Sequence, residues 1–209
     1  MKTEYVKINL SDLVEKYGES RVKAILADFS CPLNNDVQEF LKNKAIEFSK
    51  QSIAQTQLIY YIKRDDEDKV IEKYLVGYFS LAQKIINVEK KALSNKLARR
   101  ISRYSYYDAE KKSYSLPVIL IGQLGKNYND NSNKLISGKD LLNLAISSIT
   151  LVQRVIGGKV IFLECEDKPE LLKFYEENDF FKFGKRKLDR DETNIEGEYL
   201  IQWICYPAK

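Results

Sequence analysis

The sequence predicts an α/β protein built on a mixed β-sheet flanked by helices. Two observations carry that prediction. Strand-like runs stand at both ends of the chain, residues 5–10 alternating in polarity and residues 199–206 returning as a last strand. Between them lies a strand–helix–strand–helix order, because the apolar runs 116–124 and 159–163 are each followed by a segment with apolar residues at helical spacing.

In chain order, residues 5–10 read as an edge strand, and residues 20–29 as a short helix with Val22, Ile25 and Leu26 on one face. After Ser30-Cys31-Pro32, residues 34–50 carry Val37, Phe40, Leu41, Ala45 and Phe48 at helical spacing, with Asn34 or Asn35 able to cap the start. Residues 56–62 and 70–81 flank the charged turn 64–69 as a hairpin, whose second arm carries Val76-Gly77-Tyr78-Phe79-Ser80-Leu81. Residues 92–103 fit a helix with Leu93, Leu97 and Ile101 in one stripe and Lys96, Arg99, Arg100 and Arg103 in another. The uncharged run 116–124 ends at Gly125, and beyond an Asn-rich loop Ser137-Gly138 opens a helix carrying Leu141, Leu142, Ala145, Ile149, Val152 and Ile156. Gly157-Gly158 ends that helix, residues 159–163 form the next strand, and Pro169 suits the first turn of a short helix to about Asn178. Phe180 begins a strand, residues 184–197 form a charged turn, and the last strand follows. No repeat period and no linker divides the chain, so one domain over 1–209 is expected, with a basic inserted segment at about 84–112.

A chain of 209 residues can bury a substantial core without staples. No apolar run is long enough to span a bilayer and the amino end lacks a signal-peptide core, so a cytoplasmic protein with no membrane partner is expected. Cys31, Cys165 and Cys205 are far apart and show no metal-ligand spacing, which reads as reduced, mostly buried thiols and no metal site. Histidine is absent. Imidazole bases, Ser–His and Cys–His pairs and the commonest zinc ligands are thereby excluded.

Chemistry must come from Tyr, Asp, Glu, Lys, backbone groups or a cofactor. A strand, a glycine-containing loop and a helix amino end together can hold a phosphate on free backbone N–H groups, with Lys134 and Lys139 adding charge. The same stretch is also what a buried strand joined by a solvated loop to an amphipathic helix looks like. Net charge is a mild +4, but over 84–112 nine lysines and arginines face only Glu89, Asp108 and Glu110, and Tyr104, Tyr106, Tyr107 and Tyr114 follow the cationic stripe. Such a face can hold a phosphate backbone and stack on bases, or be plain solvated surface.

The run Leu116-Pro117-Val118-Ile119-Leu120-Ile121-Gly122-Gln123-Leu124, the helix opened by Ser137-Gly138-Lys139, and Phe174-Tyr175-Glu176-Glu177-Asn178-Asp179-Phe180 resemble the core motifs of the GNAT superfamily of N-acetyltransferases. Phe29-Ser30-Cys31-Pro32-Leu33-Asn34-Asn35, with Phe40, Leu41 and Ala45 beyond it, is similar to the FDCG-type opening of one branch, and residues 76–81 to its third strand. That branch includes toxins of toxin–antitoxin pairs that acetylate aminoacyl-tRNA. The resemblance covers residues 9–183 and implies a GNAT-like, centrally splayed sheet with acetyl-CoA in the cleft.

The resemblance places Gln123, Leu124, Gly125 and Lys126 on the pantetheine arm, and Asn133, Lys134, Leu135, Ile136, Ser137, Gly138 and Lys139 at the pyrophosphate. Ile136 falls where the family has a glycine, the loop 127–133 is longer than usual, and Asp179 replaces another glycine. Tyr175 matches the tyrosine over the thioester sulfur, where an O–H donor assists the leaving thiolate. Glu164 and Glu166 close the strand after the central helix and either can serve as general base, or both are solvated loop residues. An α-amine needs less help from a base than a lysine does. The implied function is acetyl-CoA-dependent transfer of an acetyl group to a primary amine, the α-amine of aminoacyl-tRNA in a toxin-like enzyme. The alternatives are a small-molecule or protein N-acetyltransferase and a non-catalytic CoA-binding protein of the same fold. Implied partners are acetyl-CoA, tRNA on Lys96, Arg99, Arg100 and Arg103, an antitoxin, and a second copy in a homodimer.

Overall fold

Polarity alternates along the amino-terminal strand β1 (Lys2–Asn9), and Asn9 then turns the chain into α1 (Leu10–Tyr17) by accepting a hydrogen bond from the Ser11 N–H at 2.8 Å. This helix was not expected, although Leu10, Leu13, Val14 and Tyr17 stand at helical spacing. Gly18, at φ 80°, links it to α2 (Glu19–Ala27). The helix expected over 34–50 is α3 (Asn35–Glu39), a π-helical turn (Phe40–Lys44) and α4 (Ala45–Lys50). Asn34 caps it, accepting from the Val37 N–H at 3.0 Å. β2 (Gln55–Arg64) and β3 (Val70–Glu89) form the predicted hairpin, but β3 runs eight residues past its expected end. The reason is a period-two pattern hidden among charges, in which Ile86 and Val88 are buried while Ile85 is exposed.

Ser94 caps α5 (Asn95–Ile101), shorter than the expected 92–103, and β4 (Tyr106–Asp108) hairpins onto β5 (Ser113–Lys126). A 3-10 turn at Asn129–Lys134, with Asp130 and Asn131 left-handed, leads to α6 (Gly138–Ile156). β6 (Ile161–Glu166), α7 (Pro169–Glu177), β7 (Phe181–Lys187) and β8 (Tyr199–Cys205) complete the chain. The computed structural model describes residues 1–190, 192, 195 and 197–206, so part of the expected charged turn 184–197 lies outside the described residues.

The hydrogen-bonded strands follow the order β1-β2-β3-β5-β6-β8-β7, which makes β1 the edge strand that was expected. All pairings with a stated register are antiparallel except β5 with β6. That parallel ladder joins only Ile119 to Ile161 and Leu120 to Phe162, and each strand runs on past it. The architecture is the mixed α/β sheet flanked by helices that the sequence predicted.

Two compact units form. One comprises Met1–Ala82 and Gly122–Ala145, the other Gln83–Ile121 and Ile146–Lys209. In the first, Leu10, Val22, Leu26, Phe29, Leu41, Leu58 and Tyr78 share one core, and each large apolar side chain buried there contributes roughly 1.5–3 kcal/mol. The Tyr78 hydroxyl donates to Val37 O at 2.6 Å, so the one polar atom of that ring is satisfied. In the second, Ile86, Val88, Leu93, Ile101, Leu116, Val118, Phe162 and Ile204 form a separate cluster. No helix is long and apolar enough to cross a membrane among the described residues.

Candidate functional site

The first unit carries the end of β5, the turn into α6 and the first turns of that helix. At the end of β5, Gly125 is buried, and a Cβ there would run into Val37 Cγ1. A Cβ on Gly77 of β3 would come within 2.7 Å of Gly125 O. Both glycines are therefore required by close approach rather than by φ. The Gln123 amide donates to Asp36 at 2.8 Å, tying the strand to α3. Next along the chain, buried Asn127 is fully used: its Oδ1 accepts from Ser30 and Asn129 N–H groups and its Nδ2 donates to Leu75 O.

In the turn itself, carbonyl after carbonyl is taken up by the protein. Ser132 O accepts from the Leu135 N–H at 3.1 Å, and Asn133 O and Ile136 O accept from Lys126 Nζ at 3.0 and 3.3 Å. Leu135 O accepts from the Tyr5 hydroxyl at 2.7 Å. Ser137 caps α6 as expected, its Oγ accepting from Asp140 N–H at 3.0 Å and donating to the Asp140 carboxylate at 2.6 Å. The first-turn amides of Gly138 and Lys139 have no partner within the helix. Ile136, which stands where the GNAT turn has glycine, is only 3% exposed, so its side chain packs into the protein. Lys134 and Lys139 are exposed. The groups gathered here are backbone N–H groups, a helix amino end and two exposed cations, with the Asp140 carboxylate in the same first turn, a set whose N–H groups and cations can hold an anion.

The second unit carries Glu164, Glu166 and Tyr175. Both glutamates lie within β6 and are not loop residues. Glu164 Oε1 accepts from both Arg186 Nε at 2.8 Å and Gln202 Nε2 at 3.0 Å, while its Oε2 has Lys84 Nζ at 3.9 Å. Arg186 in turn forks onto Glu192 at 2.7 and 2.6 Å. That bond and those to Glu164 push the guanidinium further above its ordinary range, and the Arg186 fork holds the Glu192 carboxyl below its ordinary value. Buried Glu166 pairs with Lys168 at 3.2 Å. Beside it a cavity of about 390 Å³ is lined by Glu166, Asp167, Lys168, Gly197, Glu198 and Tyr199.

Tyr175 sits on α7 with Phe174, Phe180 and Trp203 around its ring and is 8% exposed. Burial, with Cys165 nearby, pushes its phenol well above the ordinary value, so the proton stays on the oxygen. Asp179 adopts φ 63°, the left-handed conformation that the replaced glycine would supply. The three cysteines are free and buried, with the Cys165 thiol pushed up to about 11 by burial.

On α5, Leu97 and Ile101 pack on the core while Lys96, Arg99 and Arg100 are exposed, and Arg103 follows the helix. The Arg100 guanidinium lies 4.3 Å from the centre of the Tyr206 ring. Tyr114 is buried against Tyr107, whereas Tyr106 is 76% exposed. Of the predicted site residues, Gln123 and Lys126 prove to hold the scaffold through their side chains. Tyr5 was missed, since nothing in an edge-strand pattern announces a partner 130 residues away.

No protein-family model and no curated protein matches the chain. Solved structures do. The structure of AtaT complexed with acetyl-methionyl-tRNAfMet superposes with a TM-score of 0.59 at 15% identity, covering 95% of this chain and 94% of that one. A Tyr-to-Phe mutant of KacT gives 0.60 at 14% identity over 97% and 94%. The AtaT toxin mutated likewise, bound to the C-terminus of the antitoxin AtaR and acetyl-CoA, gives 0.50 at 14% over 95% and 92%. At such identity and coverage, what this chain shares with them is the fold.

Proposed function

We propose that this protein is an acetyl-CoA-dependent N-acetyltransferase acting on a primary amine, the α-amine of aminoacyl-tRNA, as a toxin-like enzyme of the GNAT superfamily. The observation that carries the reading is the turn from Asn133 to Lys139, where the Asn133, Leu135 and Ile136 carbonyls are held by protein side chains and which leads into the amino end of α6. The fold shared with structures holding acetyl-CoA and an acetylated aminoacyl-tRNA supports it.

Acetyl-CoA supplies an acyl group activated as a thioester. In this reading Gln123, Leu124, Gly125 and Lys126 offer backbone groups to the pantetheine arm, while the amides of the turn, with Lys134 and Lys139, bind the pyrophosphate. Tyr175 holds its proton firmly, so it stabilises the departing thiolate by donating a hydrogen bond rather than by giving the proton up. An α-amine of pKa about 8 is partly unprotonated at neutral pH and makes little demand on a base. That suits a site where Glu164 is committed to Arg186 and Gln202 and Glu166 to Lys168. Lys96, Arg99, Arg100 and Arg103 contact tRNA phosphates, and Tyr104, Tyr106 or Tyr107 stacks on a base, Tyr106 being the most exposed of the three. A cytoplasmic location, an antitoxin partner and a homodimer belong to the same reading. One observation favours a compact acceptor instead: the 390 Å³ cavity beside Glu166 is the right size and sign for a small cationic amine.

The test is release of free CoA thiol from acetyl-CoA, with charged tRNA and small amines compared as acceptors. Release that requires charged tRNA is expected. Turnover with small amines alone would favour the cavity reading, and no release with any acceptor would leave a non-catalytic protein.

A further inference from the structure

Three features outside the assigned roles compete for an explanation: the acidic cavity beside Glu166, the exposed apolar end of α6 at Leu151, Val152, Val155 and Ile156, and the two side chains that grip the turn before α6. Nothing shows what would occupy the first two. For the third the geometry is complete.

A trans peptide unit points its C=O and the next residue's N–H in opposite directions, and no cis peptide occurs among the described residues. Lys126 Nζ holds Ile136 O, so the Ser137 N–H faces away from Lys126. The Tyr5 hydroxyl holds Leu135 O, so the Ile136 N–H faces away from Tyr5. A turn whose outward amides bind an anion needs its carbonyls turned back, because a carbonyl flipped outward would present negative charge to the ligand. Here two side chains suppress it: a lysine whose ammonium bridges two carbonyls, and a tyrosine delivered by β1 from the amino end of the chain. Register fixes the tyrosine, since Tyr5 stands opposite Tyr61 in the β1–β2 ladder, and the two rings meet edge to face at 6.2 Å.

We propose that Lys126 and Tyr5 are positioning residues that lock the turn with the Ile136 and Ser137 amides facing away from them, and that Lys126 therefore serves the pyrophosphate through the turn and not as its ligand. The proposal rests on the acetyl-CoA reading for its ligand, but the lock itself is a property of the ligand-free chain. It assigns Lys126 and the amino-terminal strand a part in cofactor affinity that neither charge nor sequence position announces.

The experiment compares Lys126→Met, Lys126→Arg and Tyr5→Phe with the wild type by amide hydrogen exchange without ligand, and by calorimetric titration with CoA and with pantetheine at several salt concentrations. For Lys126→Met, exchange at Leu135, whose N–H donates to Ser132 O within the turn, should rise while β2 keeps its protection, and CoA affinity should fall about tenfold. Pantetheine affinity and the salt dependence of CoA binding should not change, and Lys126→Arg should recover much of the loss. Tyr5→Phe should show the same pattern at about fivefold. Wild-type exchange and affinity in both Lys126→Met and Tyr5→Phe would overturn the lock. Equal loss of pantetheine and CoA would instead make Lys126 a pantetheine ligand, and a flattened salt dependence would make it a phosphate ligand. If Lys126→Met also loosens β2, Tyr5→Phe, a substitution at an exposed position, decides in its place. Should the wild type bind neither ligand, the acetyltransferase reading fails, and exchange alone tells whether the turn is locked.

Discussion

Tyr175 and Glu164 show how surroundings assign work to chemically capable side chains. Tyr175 keeps its proton because burial penalises the phenolate, and in the proposed reaction that suits it to donate. Tyr175→Phe should lower kcat about 100-fold with acetyl-CoA affinity and fold kept, since one hydroxyl leaves and the apolar ring stays. Undiminished single-turnover rates would remove Tyr175 from the chemistry. Glu164 is instead absorbed into a latch in which Arg186 joins β7, β6 and Glu192. The Glu192 carboxyl titrates lower in the folded than in the unfolded chain, where it would lie near 4.5. Its contribution is therefore present above pH 4.5 and is lost as pH falls through the lower, folded value. Acid unfolding, followed by the emission of buried Trp203, should start at a higher pH in Arg186→Met than in the wild type. Coincident acid transitions would mean that the latch contributes nothing.

Close packing between elements makes a similar demand on β5. Gly125 lets this strand lie against Val37 of α3, and Gly77 lets β3 lie against Gly125. Gly125→Ala should cost about 1–3 kcal/mol by overpacking, and Val37→Ala in the same chain should restore part of it by vacating the space. Denaturant titration of the two single variants and the double variant measures the coupling; additive losses would show that the two residues do not meet. Capping is visible at this level too: Asn9, Asn34, Ser94 and Ser137 each begin a helix by accepting a backbone N–H, a role that their residue types advertise.

For the molecule as a whole, charge is the property that separates its proposed partners. Lys134 and Lys139 stand at the amino end of α6, whereas Lys96, Arg99, Arg100 and Arg103 belong to α5 and the turn after it. Reversing charge at Lys134 and Lys139 together should weaken acetyl-CoA binding, most at low salt, and leave RNA binding unchanged. Changing the α5 set to alanine should do the opposite, lowering the slope of log RNA affinity against log salt by about 0.7–0.9 for each phosphate no longer neutralised. Filter binding of charged tRNA and calorimetry with acetyl-CoA, run on both variants, would expose a single shared site as parallel losses.

By itself the sequence determined the class of fold and the order of its main elements. Apolar periodicity, capping residues and glycine punctuation are local signals, and burial of one face per element follows from them. Its failures have the same physical origin. The extension of β3 to Glu89 was masked by charges on its solvent face, and α1 was overlooked because its period followed directly on that of β1. Only the tertiary structure decided which polar side chains are free. One oxygen of Glu164 is held by Arg186, Gln123 by Asp36 and Lys126 by two carbonyls, while Ile136 turns inward. Tyr5 reaches Leu135 from the far end of the chain. Such assignments depend on distances between residues remote in sequence, and a one-dimensional pattern carries no information about them.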